Sequence, residues 1–278
     1  IAANNPMDRF AILRFLLALL YWCKGNPSDD MNKKEHNAIL YACIPQLEKN
    51  KEFFNLLGNG KRFYQDKSAK RNRPTTDLLQ EIPTGNNFWH FRHSVDYQHG
   101  LCPACCAIGL LRLPLFSVSG LPDLKSGING TPPVYAFVLG KSLLETLQAN
   151  WVTYTNLGEP AWIKPNIRPT PGQDIPILTG LTLLSRRVLL HEPVEQKSVC
   201  IGCGERKMSL ILTCEFQSAG KQENDLWNDP HVVYLDNKPR KAAKAPDLTA
   251  TGKFRMDRPL PLASIIEMGK FIHGKGPA

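Results

Sequence analysis

The sequence predicts an α+β fold, an irregular domain with a mainly helical start over residues 1–84 and a loop-rich part with short strands over residues 85–278. Three observations predict it. Apolar residues recur at helical spacing near the start, short apolar segments alternate with Gly and Pro after residue 85, and two Cys-x-x-Cys pairs stand far apart within that second part. The 278 residues are read as a single domain with room for a core. An apolar fraction of 42% and a charged fraction of 21% exclude a wholly disordered, collagen-like or coiled-coil chain.

In order along the chain, Asn5, Pro6 and Asp8 open a helix that Phe10, Leu13, Leu16, Leu17 and Leu20 continue on one face. Its apolar run, Phe10 to Trp22, contains Arg14 and is shorter than the about 20 residues of a membrane span, and no basic leader precedes it. A cytoplasmic protein without a membrane partner is expected. Gly25 to Asp30 break the helix, Lys33 to Leu47 resume helical character, and Phe53 to Phe63 are interrupted by Gly58 and Gly60. Asp66 to Thr76 carries Lys67, Lys70, Arg71 and Arg73, the composition of a solvated loop or of a phosphate-contacting one, and is left unassigned. Val134 to Leu139 and Leu210 to Cys214 read as strands, and Lys141 to Trp151 as a helix. Five prolines between Pro160 and Pro176 predict an extended connection that does not pack, since each removes a backbone donor. Lys238 to Lys253 reads as a basic loop and Pro261 to Phe271 as a short helix. A net charge of +9 favours a polyanionic partner.

Eight cysteines are present, and Cys102-Pro-Ala-Cys105 with Cys200-Ile-Gly-Cys203 are the most specific chemistry in the chain. A two-residue spacer lets two thiolates in one tight turn reach the same ion, so two such pairs predict a zinc ion with four sulfur ligands. Four thiolates fill a tetrahedral shell and leave no position for water or substrate, which makes the expected site structural. The 94 residues between the pairs exceed any zinc ribbon, so the ion would staple distant pieces of one fold. Cys106 competes with Cys105 as a ligand, and Cys23, Cys43 and Cys214 lie in apolar segments and read as core. Unrelated buried thiols, a redox pair or a disulfide are the other readings of these residues.

Asn86 to Ser94 brings Phe88, Trp89, Phe91, Arg92 and His93 to the doorstep of the first pair, and Ser117 to Pro133 follows it with three glycines and Lys125. Such residues on anchored loops suit stacking and phosphate contacts, while the same aromatic residues suit a core equally. Neither GxxxxGK[ST] nor GxGxxG is present, so a nucleotide-binding fold is not supported.

Phe91-x-His93, CPACCAIGLLRLP at 102–114, SGINGTPPVYAFVLGKSLLETL at 126–147, PAWIKP at 160–165, GLTLLSRRVLL at 180–190, the second CxxCG and LWNDPH at 226–231 follow one another in an order that resembles the CasA family, the large subunit of the type I-E CRISPR Cascade complex. RFYQD at 62–66 fits the early region of the same family. The resemblance implies a non-enzymatic, RNA-guided subunit of antiviral defence. It would assemble with the other Cascade subunits and crRNA, recognise the protospacer-adjacent motif in double-stranded DNA, support target binding and recruit the helicase-nuclease. It places the nucleic-acid contacts at Phe91, Arg92 and His93, at Ser119 and Gly120 of a loop over Ser117 to Pro122, at Lys125 and Asn129, and at Lys221. The zinc ligands carry over to Cys102, Cys105, Cys200 and Cys203. Two departures from the family's pattern are expected: its first short strand is absent ahead of the first helix, and the sequence stops before its strand-separating loop and C-terminal four-helix bundle, as in a fragment, a partly given chain or a protein that the system has divided. A zinc-supported HNH-like nuclease and a zinc-stapled scaffold that binds only protein are the alternative functions. Against the nuclease, the 94-residue gap is too long for that compact fold.

Overall fold

The computed structural model describes residues 5–27, 39, 41–79, 100–117, 127–130, 133–220, 227–235 and 254–255. Helix α1 spans Pro6–Lys24 as its sequence predicts: the Asn5 Oδ1 accepts a hydrogen bond from the Met7 amide at 2.9 Å, and Gly25 ends the helix at φ 76°. Further helices are α2 (Ile44–Lys49), α3 (Pro103–Phe116), α4 (Leu143–Asn150) and α5 (Ile177–Thr182). Ser142 caps α4 by accepting from the Glu145 amide, within the stretch expected to be helical. Helix α1 packs on α3, α5 and α4, and one apolar core runs from Leu17 and Tyr21 through Leu110 to Val188 and Phe216.

A three-stranded antiparallel sheet covers this core in the order β1 (Asn72–Pro74), β5 (Thr213–Ser218), β2 (Arg186–Leu190). In β5 the residues alternate, with Cys214, Phe216 and Ser218 turned inward. Strands β3 (Val194–Val199) and β4 (Arg206–Leu210) form a separate hairpin that is largely exposed, and β6 (Tyr234–Leu235) pairs with β7 (Phe254–Arg255). The outer edge of β2 is covered by the RFYQD segment. The Asp66 amide donates to the Val188 carbonyl at 2.8 Å, Gln65 Oε1 accepts from the Leu190 amide, and Arg62 donates to the Leu190 carbonyl. No helix among the described residues is long and apolar enough to cross a membrane.

Several expectations are corrected. Val134 to Leu139 forms no strand. Tyr135 makes one isolated bridge to Val232, and the Val138 amide is taken by the Asn150 side chain instead of a neighbouring strand. Leu210 to Cys214 is the junction of two strands, because Ile211 and Leu212 turn aside to bond Leu101 and Thr75. The basic stretch is only partly loop: Asn72–Pro74 is β1, and Thr75–Leu78 is a 3-10 turn in which Asp77 pairs with Arg73. The proline-rich segment packs after all, since Ala161 and Trp162 are buried and the Trp162 ring meets Phe15, Trp22, Phe54 and Tyr64. Helix α3 lies where loops and short strands are expected. Residues 28–38, 238–253 and 261–271, for which the sequence predicts helical or loop character, lie outside the described residues.

Candidate functional site

Helix α3 supplies the first cysteine pair. Cys102 is its N-terminal cap and Pro103 its first residue, so Cys105 sits one turn in and both sulfurs gather at the helix N-terminus, where the partial positive charge favours thiolates. The β3–β4 hairpin supplies the second pair from its turn. The Cys200 amide donates to the Glu205 carbonyl and the Gly204 amide to the Cys200 carbonyl, each at 2.8 Å, and Gly204 takes φ +73°, which suits glycine. The two pieces are locked together by mutual backbone hydrogen bonds between Leu101 and Ile211 at 3.0 and 2.8 Å. Gly100, at φ +69°, permits this, since a Cβ there would lie 2.5 Å from the Ile211 carbonyl oxygen.

The result is one cluster. The Sγ atoms of Cys102, Cys105, Cys200 and Cys203 all lie within 4.8 Å of one another. A tetrahedral zinc site with Zn–S of about 2.3 Å has sulfurs about 3.8 Å apart, so a small contraction brings these four onto one ion. The Cys102 amide donates to the Cys200 sulfur at 3.2 Å. Cys200 is pushed down to about 4, first by the hydrogen bond from the Cys105 thiol, with the amides of Cys102, Cys203 and Gly202 contributing and burial opposing. Cys105 is pushed up by that same hydrogen bond and then by burial, and Cys102 is pushed up chiefly by burial. A site that draws amide donors onto sulfur and crowds thiols around it suits a cation that replaces their protons. Cys106 does not compete: its thiol turns to the Leu101 carbonyl, and burial pushes it up, as it does Cys214. The cysteines expected in the core, Cys43 and Cys214, are buried there, and Cys23 is half-buried beside Cys43.

Gly202 sets the packing of the cluster, because a Cβ at that position would lie 2.7 Å from the Cys105 sulfur. Gly202→Ala is expected to weaken metal retention by about 1–3 kcal/mol of crowding, read as release at lower chelator concentration in a competition titration.

A second buried constellation was not anticipated. Arg14, 3% exposed, pairs with the fully buried Asp229 at 2.7 Å, bonds the Leu181 carbonyl, and lies 3.3 Å from His231 Nδ1. The Phe137 ring stacks on His231 with centroids 4.5 Å apart. Asn129 closes the network: its Nδ2 donates to Asp229 Oδ2 at 2.7 Å and to the Tyr135 hydroxyl, and its Oδ1 accepts from Trp227 Nε1. The only nucleic-acid residue of the sequence reading that falls among the described residues is Asn129, and its amide is engaged inside the fold. Phe91, Arg92, His93, Ser119, Gly120, Lys125 and Lys221 lie outside them. The signal for this network was Arg14, a charge inside an apolar helix run, which requires a buried partner.

The family model described as CRISPR-associated protein Cse1 matches residues 1–252. One crystal structure of CasA from Thermus thermophilus aligns with 93% of this chain and 50% of its own length at a TM-score of 0.62 and 16% identity. Another structure of Thermus thermophilus CasA (Cse1) aligns over 93% and 51% at 0.59 and 18%, and Thermobifida fusca Cse1 over 78% and 44% at 0.55 and 22%. At these identities the likeness to the solved structures is one of fold, and this chain spans about half of their length. The match over residues 1–252, joined to this shared architecture, establishes that the chain belongs to the Cse1 family of CRISPR-associated proteins, also called CasA.

Proposed function

We propose that this chain works in the cytoplasm as part of the large subunit of a type I-E CRISPR Cascade complex. It would recognise the protospacer-adjacent motif in double-stranded target DNA, support target binding by the other subunits and crRNA, and recruit the helicase-nuclease in antiviral defence. The observation that carries the reading is the family match over residues 1–252. The four-cysteine cluster supports a structural zinc, held by Cys102, Cys105, Cys200 and Cys203, that would neutralise the crowded thiolates and fasten α3 to the β3–β4 hairpin. Such a shell is closed, so the metal would be structural and not catalytic, and the non-enzymatic role proposed here is the one the family resemblance implies. The net charge of +9 suits a polyanionic target.

The test is target-duplex binding by the remaining Cascade components and crRNA, with and without this protein, on duplexes that differ only in the adjacent motif. A motif-dependent gain is expected. Phe91→Ala and His93→Ala are each expected to reduce it, the first by about 1–3 kcal/mol if the ring stacks on a base. Equal binding with and without the motif, while the protein is incorporated, would overturn the reading.

A further inference from the structure

The β3–β4 hairpin turns its apolar side outward. Strand β4 is regular, so Arg206, Met208 and Leu210 share one face. Val199 stands directly opposite Arg206, and Val194 opposite Leu210, which puts both valines on that face as well. Leu210 is buried at its foot, but Met208 is 72% exposed, Val194 45% and Val199 42%. The opposite face carries Glu195, Ser198, Lys207 and Ser209, and the last three of these are only half-buried or less accessible than Met208. The polar side of the hairpin is thus the more covered one, the reverse of what water alone would select.

Two cations flank the apolar side chains. Arg206 shares their face, and the β-bulge between Glu195 and Ser198 sets Gln196 and Lys197 across from Met208. Arg206 and Lys197 are both exposed, and neither has an ion pair among the described residues. The neighbouring acids are placed elsewhere: Glu205 pairs with Lys207, Glu192 with Arg62, and Glu195 stands opposite Ser209 on the polar face. This charge pattern selects the occupant. Methionine and arginine are the side chains that buried parts of protein interfaces favour, and unpaired cations beside an apolar surface are complemented by carboxylates. A nucleic acid would find no ring to stack on and no donor at the centre of the face. A second copy packed face to face would bring Arg206 and Lys197 against their own like charges.

We propose that the face formed by Val194, Val199 and Met208, with Arg206 and Lys197 beside it, docks another protein subunit of the complex through an apolar segment of that subunit that bears carboxylates. The proposal rests on the assembly role given above and adds to it the place where this chain is gripped.

The test is uptake of the full chain by the remaining Cascade components and crRNA, titrated as binding of the labelled protein. Met208→Glu and Arg206→Glu are each expected to weaken uptake by about tenfold or more. Glu195→Gln, on the opposite face, is expected to be taken up as the parent is. All three side chains are exposed, so the variants are expected to melt as the parent does and to keep its metal content. Parent-like uptake of both Met208→Glu and Arg206→Glu overturns the surface. In a second arm the parent carries the photo-reactive p-benzoylphenylalanine in place of Met208 and is irradiated within the complex, where a cross-link to a protein subunit is expected. A cross-link to crRNA or DNA, to a second copy or back to the same chain overturns the proposal, and so does the absence of any cross-link. A parent that is not taken up overturns the surface and the assembly role together. Motif-independent duplex binding by a complex that has taken it up defeats only the motif reading proposed above, and the uptake comparison still decides the surface.

Discussion

Serine at both Cys200 and Cys203 is expected to strip the metal and to abolish cooperative folding of the chain. Structural zinc contributes roughly 10–16 kcal/mol where it is studied in small domains, against a whole-domain stability of about 5–15 kcal/mol. A term of that size cannot be lost locally. Helix α3 begins at Cys102 and packs along α1, and Leu101 is held by Ile211, so the metal end and the core helix pair share one backbone. Without the ion, thiol and hydroxyl groups crowd at a helix N-terminus with nothing to draw them together. The measurement is metal content by elemental mass spectrometry beside thermal unfolding followed by circular dichroism. The parent is expected to carry about one zinc per chain and to lose its sharp transition on chelation. A double variant that melts as the parent does would remove the staple from the account of this fold.

Arg14→Met is expected to destabilise the protein by about 3–5 kcal/mol, because it leaves the Asp229 carboxylate buried without its counter-charge. Burial alone would raise that carboxyl, but the attraction and hydrogen bonds of Arg14 outweigh it and hold Asp229 below the ordinary carboxylate range, with His231 and Asn129 assisting. The sign of the pH dependence follows. A carboxyl depressed in the folded state stabilises it fully above the unfolded value of about 3.9, and that contribution is lost as pH falls through the lower folded value. Urea unfolding at pH 7 should therefore show the large loss in Arg14→Met, and lowering the pH from 4 toward 2 should erode the parent more than Asp229→Asn. The double variant Arg14→Met with Asp229→Asn is expected to lose less than the sum of the two single changes, since the pair acts as a unit. Strict additivity would mean that the two side chains are not coupled.

The parts of the fold that were legible in the sequence are those with local causes. Helix α1 announced itself through Asn5, Pro6 and the spacing of its leucines, and α4 through its own periodicity. The clustering of Cys102, Cys105, Cys200 and Cys203 was legible because a two-residue spacer is itself a geometric constraint. What escaped depends on distant partners. Strand β1 is Asn-Arg-Pro, with no β-forming residue in it, and exists because β5, some 140 positions on, offers an edge. Helix α3 was obscured by Pro103 and Pro114. The first is harmless at the start of a helix, and the second, which has no N–H to give to the Leu110 carbonyl, stands inside the helix only two residues before its end. Arg14 hinted at a buried partner, but Asp229 is 215 positions away, and Asn129, which bonds both Asp229 and Trp227 of that segment, comes from a third place in the chain. Asn129 could be read as a surface contact only because the sequence does not reveal which donors and acceptors the fold has already taken.

The staple also carries a consequence for synthesis on the ribosome. Cys102 and Cys105 emerge while the partner turn is still untranslated, with 94 residues between Cys105 and Cys200. At about 5–20 residues per second the first pair waits roughly 5–20 s for its complement. During that interval the nascent chain offers two thiols at the start of an apolar segment with no second pair to complete the shell. The cysteine cluster is therefore completed only after α1 and α3 have been made, when the turn between β3 and β4 follows them.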